Sequence, residues 1–411
     1  MLTASQLDVI KQTVPVLQEH GETLTRHFYA RMFRDNPEVQ RFFNPAHQHA
    51  GTQQRALAAA ICAYAQHIET PEALTAAVEL IAQKHASLGI QAAHYPIVGK
   101  HLLASIQEVL GDAATPAIIE AWAAAYGALA DIFIHREADI YAQQHTTFGW
   151  TGFRRFVVKQ REAASDNIVS LYLAPEDGKP LAAHRPGQYI TVRVQPEGGE
   201  PVMRNYSLSN RPGADRYRIS VKREQAMAAG APDGVVSNWL HDGLGEGDVI
   251  ELAPPCGEFV LKPAPADARP LVFIAGGVGI TPLLSMLYAA LQEQPGRAVI
   301  FIQCALNGAV RAFADELTSL RADYPQLTTH VRLSDATDAD RARGHHDSEG
   351  LLDDGLLDQL IGQRRSEFYL CGPTPMLAHA RRLLLARGVD AAAINLEFFG
   401  PAGDLDGVHS S

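Results

Sequence analysis

The sequence predicts a chain of three parts: an all-helical region, then an antiparallel β-barrel or sandwich, then an α/β domain on a parallel sheet. Three observations predict this. Residues 1 to about 146 are rich in Ala, poor in Gly and carry apolar residues at helical spacing. From Gly149 onward, short runs alternate apolar and polar residues between Gly and Pro. From about Arg269, strand-like and helix-like segments alternate, the pattern of a parallel sheet. The length of 411 residues agrees, since roughly 150 residues per domain gives two or three. The expected division is 1–147, 150–262 and 268–411.

Composition narrows the function classes. Hydrophobic residues make up 46% and charged residues 20%, which excludes a mainly disordered, collagenous or coiled-coil chain. Lys plus Arg is 35 against 46 Asp plus Glu, a net charge of −11. A basic footprint for nucleic acid or anionic lipid is therefore absent. Cys62, Cys256, Cys304 and Cys371 form no CxxC pair, which argues against a disulfide framework and against Cys-based zinc or iron–sulfur sites. The histidines number 17. Residues Met1 to Asp8 lack the basic n-region and apolar core of a signal peptide, so a cytoplasmic protein is expected. Pro270 to Gln292 is uncharged and long enough to span a bilayer. Gly276, Gly277, Gly279 and Pro282 in its middle favour a strand, a glycine turn and a buried helix.

In the helical part, Thr52–Ile68 and Ile118–Ala142 read as helices. Ile81, His85 and Leu88 fall at i, i+4 and i+7, so His85 lies on an apolar helix face. Taken alone, it reads first as a hydrogen-bonded core histidine. Gln53, Leu57 and Ile61 form a second stripe, whose Gln faces either a ligand or the helix edge. Phe28, Tyr29 and Phe33 precede Asn36-Pro37, and Phe42-Phe43 follow; such aromatics line a flat apolar cofactor or simply fill a core.

In the middle part, strands are expected at Phe153–Val158, Gln188–Val194 and Tyr217–Val221. Arg204-Asn-Tyr-Ser-Leu-Ser209 reads as a strand bearing one cation and several hydroxyls. Gly234-Val-Val-Ser-Asn-Trp239 reads as a helix start, with Ser237 a phosphate donor or a plain cap. Gln225–Asp233 is an Ala-rich loop, and Cys256 is expected to be inert packing.

In the last part, strands are expected at Leu271–Ala275, Ala298–Cys304, Leu327–Leu333 and Glu367–Leu370, and helices at Pro282–Gln292, Val310–Arg321 and Pro375–Arg387. Gly276-Gly-Val-Gly-Ile-Thr-Pro282 joins strand to helix through a glycine turn, with Pro282 suited to a helix start. Cys371-Gly-Pro ends a later strand, where Cys371 reads alone as a small buried hydrophobe. Asp335–Glu349 is polar and expected to be a loop, with His345 and His346 solvated. No acid follows the 298–304 strand to claim a ribose hydroxyl, and Arg311 lies too far along for a 2′-phosphate.

These positions together resemble the bacterial flavohaemoglobins over essentially the whole chain. The resemblance implies a globin, an FAD barrel of the ferredoxin-reductase type and an NAD(P) domain. It makes His85 the proximal ligand of haem b iron, with Tyr95 and Glu137 its hydrogen-bonding pair. Tyr29, Gln53 and Leu57 become the distal residues, Phe43 the ring on the haem, and Lys84 a further haem-side position. Tyr189, Arg204, Asn205, Tyr206, Ser207 and Ser237 become FAD contacts. Gly276, Gly277, Val278, Gly279, Ile280, Thr281, Cys371, Gly372 and Pro373 become nicotinamide-side contacts. Glu397-Phe-Phe-Gly-Pro401 matches a segment whose Phe399 stacks on the flavin, with Gly400, Pro401 and Ala402 beside it. The implied activity is nitric oxide dioxygenation: electrons pass from NAD(P)H to FAD to haem, and oxygenated ferrous haem converts NO to nitrate. The implied partners are NO and O2, with a monomer as the default. The alternatives are a haem–flavin reductase acting on other acceptors, or a haem-based O2 or redox sensor.

Overall fold

The computed structural model describes residues 2–43, 48, 51–196, 198–225 and 233–399. Its contacts divide the chain into two units, the first built on Met1–Gly152 and the second on Phe153–Val192 with Arg204–Gly400. The two sheets share the second unit.

The first unit is helical. Its main helices are α1 (Ala4–Asp35), α2 (Thr52–Gln66), α3 (Thr75–Leu88), α4 (Tyr95–Leu110) and α5 (Pro116–Phe148). Local chemistry sets their ends. Thr3 and Gln6 form a capping box before α1, and Thr115 caps α5 with Pro116 at its first position. Gly89 and Gly149 end α3 and α5 in the left-handed conformation. Helix α1 packs on α2, α4 and α5, burying Leu24, Phe28, Met32 and Trp122. Helix α3 packs on α5 around Ala82, Ala86 and Phe133. Helix α5 is long and apolar enough to cross a membrane, yet Trp122, Ala125, Phe133 and Ile140 are buried inside this unit.

The second unit begins with an antiparallel sheet: β1 (Arg154–Ser165), β2 (Ile168–Pro175), β3 (Tyr189–Val194), β4 (Val202–Ser207), β5 (Tyr217–Lys222) and, after helix α6 (Val235–Asp242), β6 (Val249–Leu252). Their order is β4-β3-β6-β1-β2-β5. An antiparallel bridge between Leu208 and Ile219 joins the two edges and closes the barrel.

The parallel sheet follows: β7 (Leu271–Gly276), α7 (Ile280–Glu293), β8 (Val299–Ala305), α8 (Ala314–Asp323), β9 (Leu327–Leu333), α9 (Asp338–Arg343), β10 (Ser348–Glu349), α10 (Asp354–Leu360), β11 (Glu367–Cys371), α11 (Thr374–Ala386) and β12 (Ile394–Glu397). The order is β10-β9-β8-β7-β11-β12. Strands β7 and β11 are buried throughout, as expected of a parallel sheet covered on both faces. The uncharged 270–292 stretch is thus β7, a glycine turn and α7.

Two local expectations are corrected. The helix expected from Val310 begins only at Ala314, because Phe313 sits at φ +61°, outside helical space. Asp335–Glu349 is not all loop. Thr337 and Asp340 form a capping box that starts α9, Ser348–Glu349 adds an edge strand, and the His346 side chain is only 9% exposed. The Gln225–Asp233 loop lies for the most part outside the described residues.

Candidate functional site

The first unit brings three separate elements to one point. His85 sits in the last turn of α3, Tyr95 opens α4, and Glu137 lies mid-way along α5. Glu137 Oε1 accepts from His85 Nδ1 at 2.8 Å and from the Tyr95 hydroxyl at 2.5 Å. Glu137 is 2% exposed and Tyr95 8%. Burial, then the neighbouring carboxylate, pushes the Tyr95 phenol well above its usual range, so it remains a donor. An ionised carboxylate only accepts, so the proton on His85 resides at Nδ1. Nε2 therefore carries the lone pair, and it makes no hydrogen bond among the described residues. The ring is a third exposed, not sealed in the core.

That arrangement fits a metal-ligating imidazole, whose far nitrogen is held by a carboxylate and whose near nitrogen is open. Tyr29 adds a second fitting feature. It is 6% exposed, in edge contact with Phe28 and Phe43, and its hydroxyl has no hydrogen-bond partner among the described residues. Burial pushes this phenol upward too, so it offers a proton inside an apolar wall. Phe33, Phe43, Leu57, Ile61 and Val98 pack on the core but stay only partly buried, which suits the rim of a flat apolar group. Gln53 is half-buried and accepts from Gln48 Nε2 at 2.9 Å. Lys84 is exposed.

Sequence reasoning missed the clamp that fixes this triad. Arg136, next to Glu137, makes a bidentate pair with Glu79 on α3 at 2.5 and 2.9 Å. Tyr126 donates to the Tyr95 carbonyl at 2.7 Å, and Tyr141 to the Ile90 carbonyl. Together they tie α5 to α3 and to the start of α4. The partners lie 31 to 57 residues apart, so no local pattern could have shown them.

In the barrel, Arg204, Asn205 and Tyr206 lie half-buried on β4, with Ser207 buried at its end. Burial lowers the Arg204 guanidinium, an environment that an adjacent phosphate would stabilise. Asn205 Oδ1 accepts from Thr191 at 2.8 Å, and Tyr206 has no hydroxyl partner among the described residues. Tyr189 opens β3 and packs so close to Gly257 that a Cβ there would stand 2.9 Å from its ring. Ser237 donates to the Gly234 carbonyl at 3.1 Å and accepts from the Glu224 amide at 3.2 Å. It ties α6 to the preceding segment, while Gly234 occupies the cap position. Cys256 is buried and bridged to Tyr189.

At the carboxyl edge of the parallel sheet, the three glycines divide the work. A Cβ on Gly276 would stand 2.4 Å from Met376 Sδ, and one on Gly279 would stand 2.2 Å from the Cys371 carbonyl oxygen. These two let the turn pack against Cys371–Gly372. Gly277 has φ +53° and nothing within 4 Å of its missing Cβ. It alone needs glycine for its backbone and faces open space. Val278 is half-buried, and Ile280 and Thr281 are buried, Thr281 donating to the Val278 carbonyl at 2.9 Å. Helix α7 has no side-chain cap and no acid in its first turn, so the positive end of its dipole is unopposed, which suits a dinucleotide pyrophosphate. Cys371 is fully buried, and desolvation raises its thiol well above the usual range, which makes it inert. Gly372 is buried beside it and Pro373 is exposed. Phe399 is 52% exposed after β12, an aromatic face suited to stacking. Gly400, Pro401 and Ala402 lie outside the described residues.

The glycine assignment predicts a contrast. Gly279→Ala forces a backbone clash, expected to cost about 1–3 kcal/mol. Gly277→Ala meets only backbone strain, about 1 kcal/mol. Thermal unfolding followed through flavin fluorescence should therefore rank Gly279→Ala below Gly277→Ala; equal midpoints would contradict the assignment.

Fold and site together define a globin joined in one chain to a flavin- and nicotinamide-binding oxidoreductase module. Comparison with known proteins agrees. The globin family profile matches residues 26–133, the oxidoreductase FAD-binding domain 155–261 and the oxidoreductase NAD-binding domain 273–382. A flavohemoprotein of Rhodopirellula baltica is 48% identical over 98% of this chain and 99% of its own length. The crystal structure of a flavohemoglobin from Malassezia yamatoensis, with bound FAD and heme, superposes with a TM-score of 0.84 at 27% identity, covering 97% of this chain and all of that one. The FAD/NAD-binding domain of a nitric oxide dioxygenase from Vibrio cholerae superposes with a TM-score of 0.54 at 33% identity, over 60% of this chain and 99% of that one. The chain belongs to the flavohaemoprotein family.

Proposed function

We propose that this protein is a nitric oxide dioxygenase, drawing electrons from NAD(P)H and using O2 to convert NO to nitrate. When bound, haem supplies an iron centre for O2, and FAD supplies the step between a two-electron donor and a one-electron acceptor. The observation that carries the reading is the His85–Glu137–Tyr95 triad in a globin fold, on the same chain as a flavin–nicotinamide module. The nitric oxide dioxygenase domain of Vibrio cholerae supports the same reading.

In this reading Glu137 accepts a hydrogen bond from Nδ1–H and polarises the ring, so that His85 Nε2 would be a strong donor to the metal. Tyr95 holds the carboxylate in place by donating to the same oxygen. Tyr29 aims a phenol proton from an apolar wall, with Gln53 and Leu57 completing that face. Phe43 and Lys84 contact the haem. Tyr189, Arg204, Asn205, Tyr206, Ser207 and Ser237 hold FAD, with Arg204 balancing phosphate charge. The 276–281 turn and Cys371–Pro373 would receive the dinucleotide, and Phe399 would stack on the flavin, with Gly400, Pro401 and Ala402 as further candidate contacts. The functional division is 1–147, 150–262 and 268–411, and the protein works as a cytoplasmic monomer.

NO consumption with NADH separates the possibilities. Loss of NO that requires O2 and yields nitrate selects dioxygenation. Loss without O2, or NADH oxidation unaffected by NO, selects a reductase with other acceptors. The Tyr29 role gives a further expectation: Tyr29→Phe should weaken O2 affinity about tenfold, the worth of a hydrogen bond to a charged acceptor. Unchanged O2 dissociation in flash photolysis would remove Tyr29 from the site.

A further inference from the structure

The flavin barrel and the nicotinamide domain share one unit, and a buried histidine that no cofactor role uses lies between them. His184 belongs to the segment linking β2 to β3 and is 3% exposed. Its Nε2 lies 3.0 Å from the Ser285 hydroxyl on α7, where Ser285 is fully buried. The ring stands edge-on to Tyr217 at 6.0 Å, and the Tyr217 hydroxyl holds the same segment by donating to the Ala182 carbonyl. Burial lowers the His184 pKa to about 4, so at neutral pH the ring is an uncharged hydrogen-bonding group.

Three residues further on, the segment meets the next residue of α7. A Cβ on Gly187 would stand 2.4 Å from Met286 Cε and 2.2 Å from the Phe259 carbonyl oxygen, and φ there is +104°. The segment is thus docked on one turn of α7 by a hydrogen bond and by close packing of the Gly187 backbone against the Met286 side chain. Its two ends matter. Two residues after Gly187 comes Tyr189, on the flavin side. Six residues before Ser285 is Gly279, in the dinucleotide turn. A separate ion pair, Arg218 of β5 with Glu316 of α8 at 2.9 Å, holds the same two parts elsewhere and keeps them joined when His184 is changed.

We propose that His184 is a positioning residue for hydride transfer: by fixing the segment that enters Tyr189 against the helix that starts at the dinucleotide turn, it sets the spacing between flavin and nicotinamide. This rests on reading the module as an NAD(P)H–FAD reductase. The chemistry is the ordinary one, in which a hydride with its two electrons leaves the nicotinamide and reduces the flavin. His184 touches neither group and acts through Ser285.

The test uses the full-length holoprotein and rapid mixing of NADH under anaerobic conditions, following flavin absorbance. His184→Ala should reduce the limiting rate of flavin reduction about tenfold, with the apparent Kd for NADH changed by less than about twofold, since misplacement by a fraction of an ångström acts on the reacting geometry. His184→Gln, which keeps a hydrogen bond to Ser285, should recover most of that rate. Ser285→Ala should reproduce the loss and add little to it in the double variant. Two readouts are independent of turnover: FAD affinity, expected unchanged, and the long-wavelength absorbance of NAD+ against reduced flavin, expected to weaken. Variants that reduce flavin at the wild-type rate, or that lose only NADH affinity, overturn the inference. Where His184→Ala fails to fold, Ser285→Ala decides by the same two outcomes. A wild-type flavin that neither NADH nor NADPH reduces overturns the reductase reading, and the inference with it.

Discussion

His85→Ala should abolish haem retention while leaving the flavin reducible by NADH. The expected result is a haem-to-protein ratio at least about tenfold lower, because the single protein bond to iron is gone. Flavin absorbance and NADH-dependent ferricyanide reduction should persist, because none of the FAD or dinucleotide contacts involves α3. Two other histidines of the helical unit are already engaged at both ring nitrogens, while His94, beside Tyr95, uses Nδ1 to accept from the Gln91 amide at 2.9 Å. His27 has its ring nitrogens on Ser105 and Glu108, at 3.0 and 3.2 Å. His101 has its own on Arg31 and Asn36, at 2.8 and 2.9 Å. Of His27, His85 and His101, His85 alone has an anchored Nδ1 and an Nε2 without a hydrogen bond among the described residues. The substitution leaves Glu137 bonded to Tyr95, so the fold should survive a loss of about 1–3 kcal/mol. Circular dichroism would confirm the helices, and stoichiometric haem in the variant would refute the ligand assignment.

The comparison of sequence and structure shows where local pattern suffices. Strand β9 and the start of β11 fall where the sequence placed them, and Phe368-Tyr-Leu370 of β11 reads as the apolar run of a parallel strand covered on both faces. The three-part order was legible because a change of period is a local signal. The closure of the barrel was not, since the β4-β3-β6-β1-β2-β5 order joins strands distant in sequence. Phe313 shows a subtler failure. Val310–Arg321 has helical spacing, yet the left-handed Phe313 buries its ring under Arg218, a tertiary demand that overrides propensity. The capping box at Thr337 was a readable signal for α9 that a polar composition concealed.

The site divides in the same way. Periodicity put His85 on an apolar face and by itself favoured a core histidine. Only the meeting of α3, α4 and α5 shows that one nitrogen is held and the other open. The glycine turn was legible as a motif, but not the separate jobs of Gly276, Gly277 and Gly279. Those depend on Met376 and Cys371, nearly a hundred residues away. The Glu79–Arg136 clamp left no trace in the sequence, because two surface-type residues at 57 positions' distance look like solvated helix faces.

Glu137→Gln should slow NO turnover by about 10–100-fold while haem stays bound, the usual range for a residue that orients a metal ligand from behind. Gln is isosteric, so its carbonyl can still accept from His85 Nδ1 or from Tyr95, and the packing around α5 is unchanged. What disappears is the negative charge 2.8 Å from the imidazole. Without it Nδ1 holds its proton more firmly, Nε2 donates less electron density, and the ferrous state is favoured. The haem midpoint potential should therefore rise, which spectroelectrochemical titration of the Soret band would show. Tyr95→Phe provides the control. It removes the 2.5 Å bond but leaves the carboxylate, so it should shift potential and turnover less than Glu137→Gln. Were Glu137 merely a packing residue, both variants would leave the potential where it is and lose haem in proportion to lost stability. A raised potential with full haem content separates the two roles, and unchanged NO consumption in Glu137→Gln would exclude electronic control by the carboxylate.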